Sequence, residues 1–408
     1  MQVKLSHILS SLESGGRPKG GASLDDNGIP SLGAEHLDIN GGFNFKSIKY
    51  IPEEYFNDLK NGIIEKENIL IVKDGATTGK VSFVTEDFPF EKASVNEHVF
   101  LLKIDKSKAY SKFAFHYLRC PQGQRDIMRD FRGATVGGIS RGFVEFVKFE
   151  LPSLPEQLNI ANLLSKAENL IAQRKESIQL LNEFLKSTFL EMFGDPVRND
   201  RNWNTKRLDE IALLERGRFS PRPRNDPSYF TGAYPFIQTG DISKSGNRLN
   251  IYTQTLNEKG IKVSKKFGKG TIVIAIVGAT IGATAILEIE VYATDSIIGI
   301  TAKKELTNNI YLEFVMRFWK PILLKNAPEA ARANINLEIL GRVGIIYPSL
   351  GLQTRFAQIV DKTEALKTQY QQSLQELENL YGSLSQKAFK GELKAPESIL
   401  QKSLSHSN

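Results

Sequence analysis

The ten residues VKDGATTGKV, from Val72 to Val81, look like the loop that holds the phosphates of ATP in nucleotide hydrolases. That loop needs the pattern G-x-x-x-x-G-K followed by Ser or Thr, because backbone amides surround the phosphates and a hydroxyl reaches the magnesium ion. Here Gly75 and Gly79 are one residue too close, and Val81 stands in place of the hydroxyl. Short apolar runs on both sides predict strand, loop, strand, whereas a phosphate loop leads into a helix. We therefore predict a glycine turn and no ATP site.

The core of this loop returns about 200 residues later. Residues 271–287 read TIVIAIVGATIGATAIL, in which Gly278, Ala279, Thr280 and Gly282 repeat G-A-T-x-G, while Ala283 stands opposite Lys80. The run carries no charge, but it is short for a bilayer, and its counterpart at 68–84 is charged. Both segments therefore predict strand pairs of a domain that occurs twice.

Catalytic motifs of the obvious classes are missing from the sequence. No proline is followed by aspartate, the five histidines form no H-x-x-x-H pair, and NDPSY at 225–229 only approaches a methyltransferase loop. Ser140, Arg141 and Glu145 match no nucleophilic triad. We predict no catalytic residues and no metal site, so binding is the expected activity.

Composition limits the class of protein further. A single cysteine, Cys120, excludes a disulfide framework and a cysteine-based zinc site and is typical of a reducing compartment. The opening residues show no signal-peptide pattern, so a cytoplasmic protein without membrane attachment is expected. The net charge of +7 is compatible with an anionic partner but does not identify one.

The two halves of the chain align throughout at a nearly constant offset. Leu5 matches Leu208, Pro30 matches Pro235, and Pro152 matches Pro348. Each half then ends in about forty residues with apolar side chains three and four apart, which predicts a helix of about 60 Å. A helix with so narrow an apolar seam needs a partner, and the seams match in length and phase. Pairing is assigned to Leu163, Leu170, Leu181, Leu185, Ile359, Leu366, Leu377 and Leu384; two separate helices, each on its own domain, are the alternative.

The predicted fold class is α+β, with two strand-rich mixed domains and two long helices that pair as an antiparallel coiled coil with internal pseudo-two-fold symmetry. Strands are expected at 69–72, 81–84, 98–104 and 143–151, with a helical segment at 111–131. The predicted boundaries are 1–153 for the first head, 154–196 for the first helix, 197–348 for the second head, 349–391 for the second helix and 392–408 for a tail.

Basic residues gather with turn residues in corresponding parts of both heads. Guanidinium groups on loops of a rigid scaffold suit contacts to phosphates and to guanine edges. Taken singly, each is more often an ordinary surface residue, and recurrence in both halves is the signal. The predicted DNA-binding residues are Arg17, Lys19, Lys73, Thr77, Thr78, Lys80, Arg132 and Arg141 in the first half, and Arg216, Arg218, Arg222, Arg224, Thr280 and Arg332 in the second.

With these features in order, the chain resembles the specificity subunits of type I restriction-modification systems. LPSLPEQLNIANLLSKAENLI at 151–171 looks like the first conserved region of that family, and Pro348, Gln353 and Phe356 match the second. The loops DGATTGK and VGATIGA resemble the turn of its target recognition domains. The second copy departs from the pattern at Gly351 and Leu352, which replace Pro155 and Glu156 and leave the start of that helix in question.

The resemblance implies a subunit without catalysis of its own. Each target recognition domain would read one half of an asymmetric bipartite site in double-stranded DNA, and the helices would set the gap. Two methyltransferase subunits would dock on the chain, and restriction subunits can join. S-adenosylmethionine, ATP and magnesium would be bound by those partners, with no cofactor on this chain. The sequence leaves open a protein-interaction scaffold, or a nuclease or methyltransferase with unrecognised motifs.

Overall fold

The computed structural model describes residues 2–24, 27–133, 137–325 and 335–393. The chain divides into two compact units. The first contains the residues up to Glu176 and those from Gln372 onward, and the second runs from Ser177 to Gln371. Each unit therefore combines a strand-rich head with part of each long helix.

The first head contains short strands and short helices that alternate along the chain. Its strands are β1 Gln2–Lys4, β2 Leu9–Ser14, β3 Ile29–Leu32, β4 Lys49–Ile51, β5 Ile69–Val72, β6 Val81–Phe83, β7 Ser94–Val95, β8 Val99–Ile104 and β9 Lys148–Glu150. Its helices are α1 Glu53–Asn57, α2 Ser111–Arg119, α3 Pro121–Met128 and α4 Phe143–Phe146, and it leads into α5, Leu154–Phe193.

The second head has the same alternation. Its strands are β10 Thr205–Arg207, β11 Ala212–Arg216, β12 Phe230–Ile237, β13 Arg248–Leu249, β14 Gln254–Leu256, β15 Lys265–Phe267, β16 Ile272–Ala275, β17 Thr284–Leu287, β18 Val291–Ala293, β19 Ile297–Ala302 and β20 Gly344–Ile346. Its helices are α6 Leu208–Ile211, α7 Thr239–Lys244, α8 Glu258–Lys262, α9 Asn309–Lys325 and α10 Leu337–Gly341, followed by α11, Leu350–Phe389.

Sheet topology confirms that the two heads are copies of one fold. The first head has the strand orders β2-β8-β5-β6, β4-β3-β7 and β1-β9. The second has β11-β19-β16-β17-β13, β14-β12-β18-β15 and β10-β20, which are the same orders with one extra edge strand on each larger sheet. The mixed, strand-rich fold expected from the sequence is therefore confirmed.

Two segments differ from the predicted secondary structure. The expected strand at 143–151 begins with helix α4, because Phe143, Val144 and Val147 are all buried, and this spacing matches one face of a helix. The helical segment that begins at Ser111 is broken at Cys120, because helical geometry is disfavoured for a residue that precedes a proline. Pro121 then starts a new helix.

The hydrophobic core of each unit includes residues of both long helices. In the first unit Ile160, Ala161 and Leu164 of α5 belong to the same cluster as Ala388 and Phe389 of α11. The other end of each helix enters the core of the second unit in the same manner, through Leu185, Phe189, Phe193, Phe356 and Val360. Early residues of one helix thus pack with late residues of the other, as antiparallel pairing requires.

Candidate nucleic-acid interface

The two glycine loops connect adjacent antiparallel strands, as predicted. Ile71 pairs with Val81 across the first loop, and Ile274 pairs with Thr284 across the second. Gly75, Gly79, Gly278 and Gly282 have positive φ values of 89°, 86°, 66° and 77°, which other residue types rarely adopt. The glycines of the repeated motif are thus required by the turn geometry, and no helix follows to bind a phosphate.

The predicted residues within these loops make mostly local contacts. Thr77 is exposed, and the Thr78 hydroxyl donates to the Gly75 carbonyl at 2.7 Å. The Thr280 hydroxyl donates to the Val277 carbonyl at 3.2 Å. Lys80 is partly buried, and its Nζ donates to the Leu37 carbonyl at 2.9 Å. The hydroxyls of Thr78 and Thr280 thus stabilise their turns, and the ammonium of Lys80 is held by a backbone carbonyl.

Glu97, between β7 and β8, brings two predicted DNA-binding residues together. Its Oε1 lies 2.9 Å from Nε of Arg17, and its backbone carbonyl accepts from Nζ of Lys73 at 2.8 Å. His98 lies beside it, with Nε2 at 3.4 Å from the same carboxylate and Nδ1 at 2.6 Å from Oδ1 of Asp74. We call Glu97 with Arg17 and Lys73 the Glu97 cluster.

Asp295, between β18 and β19, brings two predicted DNA-binding residues of the second head together. Its Oδ2 accepts a hydrogen bond from Nη2 of Arg224 at 2.7 Å, and its backbone carbonyl accepts from Nε of Arg216 at 2.7 Å. We call Asp295 with Arg216 and Arg224 the Asp295 cluster. In both clusters one basic side chain is held by the carboxylate and the other by the carbonyl of the same acidic residue.

Strand register shows that the two acidic residues occupy equivalent positions. Val95, the last residue of β7, pairs with Leu32 at the end of β3. Ala293, the last residue of β18, pairs in the same way with Ile237 at the end of β12. Val99 and Ile297, the first residues of the following strands, pair with Val72 and Ala275. Glu97 and Asp295 each lie midway between these points. Neither residue was among the sequence-predicted sites, although aligning NEHV with TDSI would have shown an acid in both halves.

The remaining predicted basic residues lie elsewhere on the heads. Lys19, Arg218 and Arg222 are exposed; Arg222 donates to the carbonyls of its own loop, at 2.8 Å for Pro221. Arg141 Nη1 donates to the Leu12 carbonyl at 3.1 Å. The assignment of Arg332 falls outside the described residues.

Arg132 is the most exposed of the predicted arginines that form an ion pair. Its Nη2 lies 3.1 Å from Oδ1 of Asp130, and its side chain is 77% exposed. Burial acts to raise the pKa of Asp130, but hydrogen bonds from Ser140 and the charge of Arg132 outweigh it, so the pKa lies below its usual value. The Asp130 carboxylate is therefore ionised and holds one side of an otherwise solvent-facing guanidinium.

Three of the predicted helix-pairing residues are exposed. Leu163 and Leu170 are 39% and 51% exposed, whereas Leu164 and Ala167 are buried. Leu366 is likewise 36% exposed, but Leu185, Ile359 and Leu384 pack against the unit cores; Leu181 and Leu377 are half-buried. Because consecutive leucines satisfy the spacing equally well, the sequence pattern chose the neighbouring one at Leu163.

A buried glutamine joins the start of each long helix to its head. Gln157 donates to the Pro152 carbonyl at 2.8 Å and accepts from the Tyr110 amide, just before α2. Gln353 donates to the Pro348 carbonyl at 2.9 Å and accepts from Thr307 and from the amide of Asn308, just before α9. The second helix thus starts in equivalent fashion, with the Ser349 hydroxyl rather than a glutamate contacting its first turn.

The described ranges offer neither a metal centre nor a reactive thiol. No cluster of three His, Cys, Asp or Glu side chains there could hold a metal ion. Burial raises the pKa of Cys120, whose thiol also accepts a backbone hydrogen bond from Gly123, so thiolate chemistry is disfavoured. None of the helices in that part of the chain is both long and apolar enough to cross a bilayer.

Comparison with known proteins defines the class. A family model described as "Type I restriction modification DNA specificity domain" matches the chain twice, over residues 1–182 and 200–379. The chain therefore belongs to this family, as the sequence motifs indicated. Specificity subunits are the DNA-recognition components of type I restriction-modification systems, and the catalytic steps belong to other subunits.

Individual relatives have low sequence identity to this chain and match it over different lengths. The EcoBI specificity subunit of Escherichia coli is 25% identical over 380 residues, which are 85% of this chain and 76% of that protein. The MjaVIII specificity subunit of Methanocaldococcus jannaschii is 23% identical over 182 residues, 45% of this chain and 39% of that protein.

Solved structures share the fold over nearly the whole chain. The S subunit of a type I restriction-modification system from M. genitalium aligns with a TM-score of 0.60 and 16% identity, covering 95% of this chain and 96% of that one. A chain from a study of complex assembly and conformational transition of a type I system aligns with a TM-score of 0.57 and 19% identity, covering 96% and 98%.

Proposed function

We propose that each head of this chain reads one half of an asymmetric bipartite site in double-stranded DNA. The observation that carries the proposal is the repetition of the Glu97 and Asp295 clusters, in which an acidic residue at equivalent positions of two copies of one fold holds predicted DNA-binding side chains. Guanidinium and ammonium groups on loops of a rigid sheet provide contacts to phosphates and to guanine edges. The basic residues differ between the heads, so the two half-sites should differ in sequence.

The long helices are the elements that would set the gap between half-sites. Each has 40 residues and passes without interruption from one unit into the other. At 1.5 Å per residue this is about 60 Å of continuous helix. A rigid connection restricts recognition to one separation and one groove phase, as half-site spacing does in dimeric repressors.

The chain would act within a larger complex. Two methyltransferase subunits would dock on it, restriction subunits would join through them, and S-adenosylmethionine, ATP and magnesium would be bound by those partners, with methylation of adenine as the outcome. A cytoplasmic location is consistent with this role.

Selection from a randomised duplex pool, with the chain co-purified with its methyltransferase subunits, tests the proposal. Two different short sequences at one fixed separation are expected, with binding that weakens steeply as salt rises. A single enriched motif, or none at any salt concentration, would favour a protein-interaction scaffold instead. Methylation or cleavage by the chain purified alone would favour an enzyme.

A further inference from the structure

We propose that Glu97 and Asp295 are specificity-determining positioning residues, each of which uses its carboxylate to orient one arginine, Arg17 or Arg224, that reads the half-site of its own head. The inference rests on the proposed function and extends it to two acidic residues that the basic-residue pattern did not select. Both are placed by strand register at the same point of the duplicated fold.

The contacts are repeated although the basic partners are not. Ser14 and Arg216 are equivalent, since they pair with Phe100 and Ile298 in the same register. Arg17 therefore corresponds in position to Phe219, and Arg224 lies still further along its loop. Different basic residues thus converge on an acid at a constant position. A constant acid with changing partners is expected when the acid sets the geometry and the partner determines which base is read.

An acid at a DNA-binding surface has an electrostatic cost. A carboxylate reduces the local positive charge and is repelled by phosphates, so it lowers nonspecific affinity. Within the described residues, Glu97 Oε2 and Asp295 Oδ1 are buried and have no hydrogen-bond partner, which is a further cost. Both heads carry the same two costs at the same position, and ordering of the arginines is a benefit that can offset them.

Orientation of arginine has a clear physical benefit. A free arginine side chain loses rotamer entropy when it is fixed in one orientation. Arg17 and Arg224 are 41% and 49% exposed, so each faces solvent while one edge of its guanidinium is held by a carboxylate. A charge-assisted hydrogen bond is about twice as strong as a neutral one. Part of the ordering therefore takes place before DNA arrives, and the guanidinium is presented in one orientation.

The test uses Glu97→Gln and Asp295→Asn in the complex with methyltransferase subunits. For each half-site, the discrimination ratio is the Kd for a duplex with that half scrambled divided by the Kd for the intact site. Glu97→Gln should lower one ratio about tenfold and leave the other unchanged, and Asp295→Asn should do the reverse. Affinity for fully scrambled DNA should stay the same or rise, because a negative charge has been removed.

Matched controls remove a charge elsewhere on the same head. Glu86 pairs with Lys66, and Glu290 pairs with Lys266, all on exposed side chains. Glu86→Gln and Glu290→Gln should leave both discrimination ratios unchanged. If they lower the ratios as much as the cluster variants do, the effect is one of net charge and the inference fails.

A double-mutant cycle separates positioning from a merely structural role. If Asp295 acts through Arg224, then Arg224→Gln lowers the same ratio, and adding Asp295→Asn lowers it little further. Independent, multiplicative losses would overturn the inference, as would a fall in both ratios or in nonspecific affinity. Failure of the wild-type complex to select any bipartite site would instead overturn the proposed function. The two heads give two independent trials, so misfolding of one variant leaves the other.

Discussion

The hydroxyl of Tyr381, near the end of α11, donates a hydrogen bond of 2.8 Å to the carboxylate of Glu168 in α5. The same carboxylate forms an ion pair with Arg119 of α2 and lies 3.7 Å from Nδ1 of His116. Burial is the main reason why the pKa of Tyr381 is raised, so this hydroxyl remains a donor throughout the physiological range. One carboxylate therefore links both long helices to the first head.

We expect Tyr381→Phe to destabilise the first unit by about 1 kcal/mol, because it leaves Glu168 with one donor fewer. Hydrogen exchange of α2 and of the adjoining helix segments measures this loss. Lys175 and Glu378, an exposed ion pair between the same helices, provide the control: Glu378→Ala should change the free energy of unfolding by at most about 0.5 kcal/mol. Equal effects of the two substitutions would contradict a special role for the Glu168 contacts.

Phe189 is the aromatic centre of the second unit's core. Its ring lies 5.0 to 6.0 Å from the rings of Tyr311, Phe314, Phe318 and Phe356 and is fully buried. Phe189→Ala should cost about 3 to 5 kcal/mol through the cavity it leaves.

Tryptophan fluorescence during urea unfolding measures this effect, because both tryptophans, Trp203 and Trp319, belong to the second unit. Phe184→Ala, on the same helix at 49% exposure, should shift stability by no more than about 0.5 kcal/mol. A comparable loss of stability in both variants would show that the substitutions weaken the helix itself and that packing of the core is not the cause.

His116 should make the first unit acid-sensitive. Burial, followed by the charges of Arg119 and Lys112, lowers the pKa of His116 to about 3, and its Nε2 lies 3.0 Å from the Ser165 hydroxyl. The unfolded chain, with a histidine pKa of about 6.5, takes up the proton first. The stability due to neutral His116 is therefore complete above pH 6.5 and is lost as the pH falls toward 3, by up to about 1.4 kcal/mol per pH unit.

Comparing unfolding midpoints at pH 7 and pH 5 checks this prediction. His116→Gln should reduce the difference between the two midpoints, whatever its effect on stability at pH 7. The exposed His7 is the matched control, and His7→Gln should leave the difference unchanged. An unaltered difference in His116→Gln would exclude this histidine as the source.

Arg218 and Arg222 should affect recognition by the second head alone. Both are exposed and lie on the loop between β11 and β12. Charge reversal, Arg218→Glu or Arg222→Glu, should weaken binding of the complex and alter only one of the two selected half-sites. Repeating the pool selection with each variant measures this. A change in both half-sites would contradict independent reading by the two heads.

Shortening both helices should shorten the gap in the DNA site. Deletion of seven residues from each helix, 172–178 and 374–380, removes two turns and preserves the seven-residue repeat of the seam. This shortens each helix by about 10 Å, which corresponds to about three base pairs of duplex. Pool selection should recover the same two half-sites at the smaller separation. Recovery of the original separation would show that the helices do not set it.

Much of the architecture is predictable from the sequence because it is repeated and periodic. The glycines of the G-A-T-x-G loops are identifiable because few other residues adopt positive φ there. The long helices are identifiable because an apolar spacing of three and four persists over forty residues. The spacing does not define the exact seam, since Leu163 and Leu164 fit it equally well and only packing shows which of them is buried.

The sequence by itself determined the duplicated fold, the two long helices and the family, because repeats, turn residues and helical periodicity are local properties of the chain. Only the tertiary structure decided which side chains meet. Arg17 and Glu97 are 80 residues apart in the sequence, and Arg216 and Asp295 are 79 residues apart. Sheet pairing brings each pair into contact. Such contacts depend on strand register, which is fixed by the burial of a whole sheet face rather than by neighbouring residues.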